Sequence, residues 1–198
     1  ERLEEHGYLE KINNLLYKKF YGTDFFVLKE PRITHLLPIW KKALNQIPLE
    51  KKYFFAFREP AHVAQSLRTR DGLPLEQGLL MWFSYTYFSL QHLAQELCCF
   101  INYDDMLAEP ELCLERIKAF LSRELLVDEK NDFLNFFIDK SLCHFSTDVA
   151  ITDSAQNLLD QCNKLFELLK NNIEIQQIST LQNSIDTIEF INELGREH

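Results

Sequence analysis

Arg58 and Ser66 stand eight residues apart in the stretch KKYFFAFREPAHVAQSLRTR, and their types suit one task, the holding of an anion. A guanidinium offers charge-assisted, forked donors and a serine hydroxyl adds a neutral one, a combination that binds phosphate. Whether they act together depends on what carries them. The run Tyr53–Phe57 (YFFAF) is densely aromatic and bounded by charge, the pattern of a strand buried on both faces of a sheet. Arg58 falls directly at its carboxyl end. Pro60 then suits the first turn of a helix, because its fixed φ is helical and its missing N–H is one a first turn leaves unpaired. The helix predicted from Pro60 to Arg70 carries Ser66 about two turns in. In open α/β sheets ligands gather at the carboxyl ends of strands, where helix N-termini offer amides to anions. The same two residues also read as a surface arginine and an ordinary helical serine, and their spacing alone does not separate the readings.

The elements around this stretch alternate. Apolar residues at helical spacing (Leu9, Ile12, Leu15, Leu16, Phe20) predict a first helix from Gly7 to Tyr21, broken by Gly22-Thr23-Asp24. Phe25–Leu28 reads as a short strand, ending in Lys29-Glu30-Pro31-Arg32. A second helix is expected from Ile33 to Ile47, kinked or delayed by Pro38. After the Tyr53–Phe57 strand and its helix, an unusually apolar helix is predicted from Leu75 to Leu97, buried between other elements. Cys98–Asn102 is a third strand, leading into Tyr103-Asp104-Asp105. Glu109-Pro110-Glu111 opens a helix to Leu121, and beyond Asp128 the chain reads as helical except for an irregular passage from Leu142 to Asp153. Strands alternating with helices predict an α/β fold with a parallel sheet flanked by helices and a helical carboxyl-terminal part.

The 198 residues suit one domain, 1–198, and a hydrophobic content of 46% excludes a disordered chain. A net charge of −9 argues against nucleic acid and anionic membranes as general partners, since both select a basic surface. No run approaches a membrane span in length, and no signal peptide is visible. Five cysteines without metal-like spacing read as reduced thiols, which implies a cytoplasmic protein; His35, His62 and His92 show no metal-ligand pattern. Glu1 is not a methionine, and three strands make a thin sheet. The expectation is that an amino-terminal strand precedes this sequence.

Four segments, taken in order, resemble the sulfotransferase family, particularly its bacterial and Golgi-type branches. They are His6-Gly7-Tyr8-Leu9-Glu10; Leu28-Lys29-Glu30-Pro31-Arg32; Arg58-x-Pro60 with Ser66-Leu67; and Ile101-Asn102-Tyr103-Asp104-Asp105-Met106-Leu107 with Glu109-Pro110 and Phe120-Leu121. Each is weak alone, and together they span about residues 6 to 122. The resemblance implies a three-layer, P-loop-like fold, with 3′-phosphoadenosine 5′-phosphosulfate (PAPS) as donor and a hydroxyl or amine of a small molecule, glycan or lipid as acceptor. It implies no metal. The family's glycine- and serine-rich 5′-phosphosulfate loop is not found upstream of Glu10. Its omission from this sequence is the expectation; a non-catalytic nucleotide-binding module, or another P-loop enzyme such as a nucleotide kinase, is the alternative.

The same resemblance assigns the 3′-phosphate to Arg58 and Ser66 and a nucleotide contact to Tyr103, which otherwise only caps the sheet edge. Lys29, at a strand end beside Arg58, would stabilise charge on the oxygen bridging sulfur and phosphorus, or lie at the solvent boundary. Glu10 is the base it implies, against a plain solvated glutamate. His144, with an intrinsic acidity suited to proton transfer, is the rival. Arg32 is expected to pair with Glu30 or Glu59, and Trp40 and Trp82 to lie in the core.

Overall fold

The computed structural model describes residues 2–93, 96–138 and 153–171. The two most apolar short runs pair with each other. Strand β1, Tyr53–Phe57, and strand β2, Cys98–Asn102, run parallel, with Tyr53 opposite Cys98 and Phe57 opposite Asn102. A parallel pair needs a long crossover. Here helices α4, Pro60–Asp71, and α5, Leu75–Leu93, supply it.

Side chains alternate across a strand, so Tyr53, Phe55 and Phe57 share a face with their register partners Cys98, Phe100 and Asn102. That face carries the core. Phe100 is 1% exposed and meets Phe55 edge-on at 5.8 Å, and Phe57 meets Phe166 of helix α9, Asp153–Asn171, at 5.7 Å. Leu79, Trp82, Phe83 and Leu90 of α5 and Leu158, Cys162, Leu165 and Leu169 of α9 complete it. The opposite face is thinner. There Phe54 packs edge-on against Phe120 of helix α7, Pro110–Leu121, at 5.2 Å. Helices thus cover both sides of the small sheet, as the α/β expectation requires, although the described chain is mostly helical.

Glycine is required at the α4–α5 crossing. A Cβ on Gly78 would lie 2.8 Å from the Ala64 Cα, which is backbone and cannot yield cheaply. The close approach keeps α5 against β1 and lets Trp82 reach the end of that strand. Helices α1 (Arg2–Glu5), α2 (Tyr8–Phe20) and α3 (Ile33–Leu44) precede β1; α6 (Tyr103–Ala108) follows β2; α8 (Val127–Asp132) runs into a π-helical turn, Phe133–Phe137.

Several sequence expectations need correction. Phe25–Leu28 has no regular secondary structure and pairs with no strand among the described residues. Its alternation is real, with Phe25 and Val27 exposed and Phe26 stacked on Phe20 at 4.1 Å, but side-chain packing replaces a ladder. The described sheet therefore has two strands rather than three. Helix α3 stops at Leu44, and Pro38 sits in its interior without ending it. Helix α5 ends at Leu93, short of the predicted Leu97.

No described helix is long and apolar enough to cross a membrane. Cys98, Cys99, Cys113 and Cys162 are buried free thiols, and burial pushes Cys98 and Cys162 up to about 12. The Leu142–Asp153 passage, with His144 and Cys143, falls outside the described residues up to residue 152.

Candidate functional site

Asn102, the last residue of β2, is buried, and its side-chain oxygen caps α6 by accepting the Asp104 N–H at 2.9 Å. An asparagine cap satisfies an amide that the first helical turn leaves open. The cap turns the chain sharply at the strand end. Tyr103 is therefore the first residue of α6 rather than a strand terminus.

The turn delivers two side chains to Arg58, which leaves the neighbouring β1 at the matching end. The Arg58 guanidinium carbon lies 4.5 Å from the centre of the Tyr103 ring. Arg58 Nε donates to Asp104 Oδ1 at 3.1 Å, and the arginine side chain is 16% exposed. Trp82 Nε1 donates to the Arg58 carbonyl at 2.9 Å, tying this strand end to α5. Stacking and ion pairing from two consecutive residues of α6 hold a planar cation in one orientation. Pro60 opens α4 directly after Glu59, so the helix N-terminus faces the same edge.

His62 completes the cluster. Its Nδ1 is 3.3 Å from Glu59 Oε2 and 4.0 Å from Asp104 Oδ2, and its side chain is 18% exposed. Metal-ligand spacing does not single out His62. A signal was present: Arg58, His62 and Ser66 follow one another at intervals of four, and His62 and Ser66 share one face of α4.

Ser66 lies one turn beyond His62 on α4, whereas Lys29 and Glu10 separate from this group. Ser66 is the seventh residue of α4, exposed, and about 9 Å along the axis from Pro60. Lys29 is exposed on the unpaired segment after Leu28, so no strand end places it beside Arg58. Glu10 is exposed in the first turn of α2. His144 is outside the described residues. Arg32 pairs with Glu30 through two bonds of 2.8 and 2.9 Å, as the sequence led one to expect. Trp82 is core, while Trp40 is partly exposed. Among the described residues no group of three or more His, Cys, Asp or Glu side chains is arranged to hold a metal ion.

No protein-family model matches the chain. A stretch of 95 residues is 32% identical to the apicoplast elongation factor Tu of Plasmodium falciparum (isolate 3D7), covering 44% of this chain and only 23% of that protein. Among solved structures, the chain is similar to the sulfotransferase domain from the curacin biosynthetic pathway. The TM-score is 0.55 and the identity 17%, over 78% of this chain and 67% of that one. Identity that low speaks to architecture alone: the chain has a mixed α/β, sulfotransferase-like fold.

Proposed function

We propose that this chain is a sulfotransferase that takes PAPS as donor and passes the sulfuryl group to a hydroxyl or amine. The observation that carries the reading is Arg58, emerging at the carboxyl end of a parallel strand and fixed against Tyr103 and Asp104 of the next strand's turn. The sulfotransferase-like fold supports it.

The residues fit the nucleotide end of such a donor. Arg58 would hold the 3′-phosphate, with Ser66 further along α4 as a second donor, and the Tyr103 ring would flank the nucleotide. Asp104 fixes the arginine's azimuth from its Nε edge. When bound, PAPS supplies an activated sulfuryl group, whose transfer depends on in-line positioning and cationic stabilisation more than on covalent help from the protein. Lys29 and Glu10 are proposed at that reactive end, as charge stabiliser and base, with His144 as the rival base. The acceptor class is a small molecule, glycan or lipid.

The test compares adenosine 3′,5′-bisphosphate with AMP on the full chain. The bisphosphate is expected to bind more tightly by about 1.5–3 kcal/mol, the worth of a charge-assisted bond, and Arg58→Ala should remove the preference. Equal affinity for the two nucleotides in the native chain overturns the assignment.

A further inference from the structure

We infer that Asn102 is a positioning residue for the anion held at Arg58, acting through the first two residues of α6. The inference rests on the reading of Arg58 as an anion-binding residue, and adds to it what sets the direction of the guanidinium. Asn102 closes β2 opposite Phe57 and is 4% exposed. A buried side-chain oxygen is costly unless it accepts a bond. Asn102 keeps an extended backbone, with φ −76° and ψ 128°, and its Oδ1 accepts the Asp104 N–H at 2.9 Å. Strand and helix therefore meet with no residue between them.

That one bond reaches the site through two side chains. The amide it holds belongs to the residue whose carboxylate takes Arg58 Nε at 3.1 Å. Between cap and amide stands Tyr103, whose ring centre lies 4.5 Å from the guanidinium carbon. Helix α6 has six residues, too few to hold its own start by backbone bonds alone. Buried Leu107 seats its far end, and the asparagine cap fixes the near end, where Tyr103 and Asp104 stand. Without the cap the first turn samples other directions, and the ring and carboxylate meet Arg58 for a smaller fraction of the time. Affinity for a ligand of Arg58 falls by that fraction.

A cap that served the fold alone would act differently. Its loss would lower stability and leave untouched the distinction between a ligand with a 3′-phosphate and one without.

Two variants separate these roles. Asn102→Ala removes the acceptor, and Asn102→Ser keeps a short oxygen that caps as well. Binding of adenosine 3′,5′-bisphosphate and of AMP to the full chain is measured by calorimetry, below the unfolding transition of each variant. The preference for the bisphosphate is expected to shrink roughly two- to tenfold in Asn102→Ala, the fold-change that an N-cap is worth, and to persist in Asn102→Ser. In the unliganded chain the Arg58 Nε–H resonance should carry the ring-current displacement of Tyr103, lose much of it in Asn102→Ala and keep it in Asn102→Ser. A preference or a displacement that Asn102→Ala leaves unchanged overturns the inference and leaves the Arg58 reading intact. So does an Asn102→Ser chain as impaired as Asn102→Ala. Equal affinity for the two nucleotides in the native chain overturns the Arg58 reading, and the inference with it. If Asn102→Ala fails to fold, Asn102→Gly, which lacks the acceptor yet is tolerated at an N-cap, is judged by the same outcomes.

Discussion

Arg58 and Arg32 both belong to short cationic turns built on an acid and a proline, yet they are held in different ways. The carboxylate on Arg58, Asp104, is 46 residues away and reaches it only because β1 and β2 pair. The carboxylate on Arg32, Glu30, is two residues away and needs nothing but the turn. Arg58 is 16% exposed and Arg32 is 80% exposed. The first arrangement is a product of the whole fold, and the second would persist in a peptide. A site that must hold an anion in a fixed place gains from the first kind, because a cation restrained from several sides pays less ordering entropy on binding.

The largest expected effect follows from that dependence. Phe100→Ala removes a ring 1% exposed from the face that joins β2 to β1, and urea unfolding should register a loss of about 3–5 kcal/mol. Phe26→Ala, in the segment before Arg32, removes a partly buried ring stacked on Phe20, and should cost well under half as much. Equal losses would mean that Phe25–Leu28 is as much a part of the core as β2, and the comparison would fail.

The sequence disclosed this contrast only in part. The buried strands were legible because YFFAF and CCFIN are short, apolar and bounded by charge or turn signals, and both occupy the predicted limits. Phe25–Leu28 has similar composition and failed. Composition does not say whether a partner strand lies alongside, and here a stack on Phe20 takes up the apolar side chain instead. Pro60 and Pro110 marked helix starts correctly because each stands in a first turn, whereas Pro38 lies inside a helix that continues past it. In the site, Arg58 was legible from its place after a strand. Its ties to Asp104 and Tyr103 were not, because they depend on the Asn102 cap, a side-chain bond that periodicity does not encode.

A smaller effect tests the ion pairs directly. Arg58→Ala should lower stability by about 1–2 kcal/mol, since it removes a charge-assisted bond and the stack on Tyr103 and leaves Asp104 at a partly covered position. A double-mutant cycle with Asp104→Asn should show that the two losses are not additive. Arg32→Ala should leave the unfolding midpoint unchanged within error, because an exposed pair is screened by solvent. Additive losses at Arg58 and Asp104 would reduce their pair to the standing of the Arg32 pair.

The smallest effect on stability is also the most local reading of the comparison. The Glu30 carboxyl is held at about 2, below its ordinary value of 4.5, chiefly by the side-chain bond from Arg32 and then by the Arg32 amide. A depressed carboxyl contributes stability that is fully present above its unfolded value and is lost as pH falls through the folded one. For Glu30 that window would run from 4.5 down to about 2 if unfolding broke the Arg32 bond; a turn that keeps the bond when unfolded contributes no pH-dependent stability there. Carbon-detected NMR of the side chain should show Glu30 titrating near the lower limit in the native chain. In Arg32→Ala it should rise towards 4.5. A turn this local can also keep its bond after the fold is lost, so the titration should move little in about 6 M urea, conditions that expose the Phe100 core. Loss of the Glu30 depression together with the fold would show that the Arg32 turn depends on tertiary structure, as the Arg58 turn does.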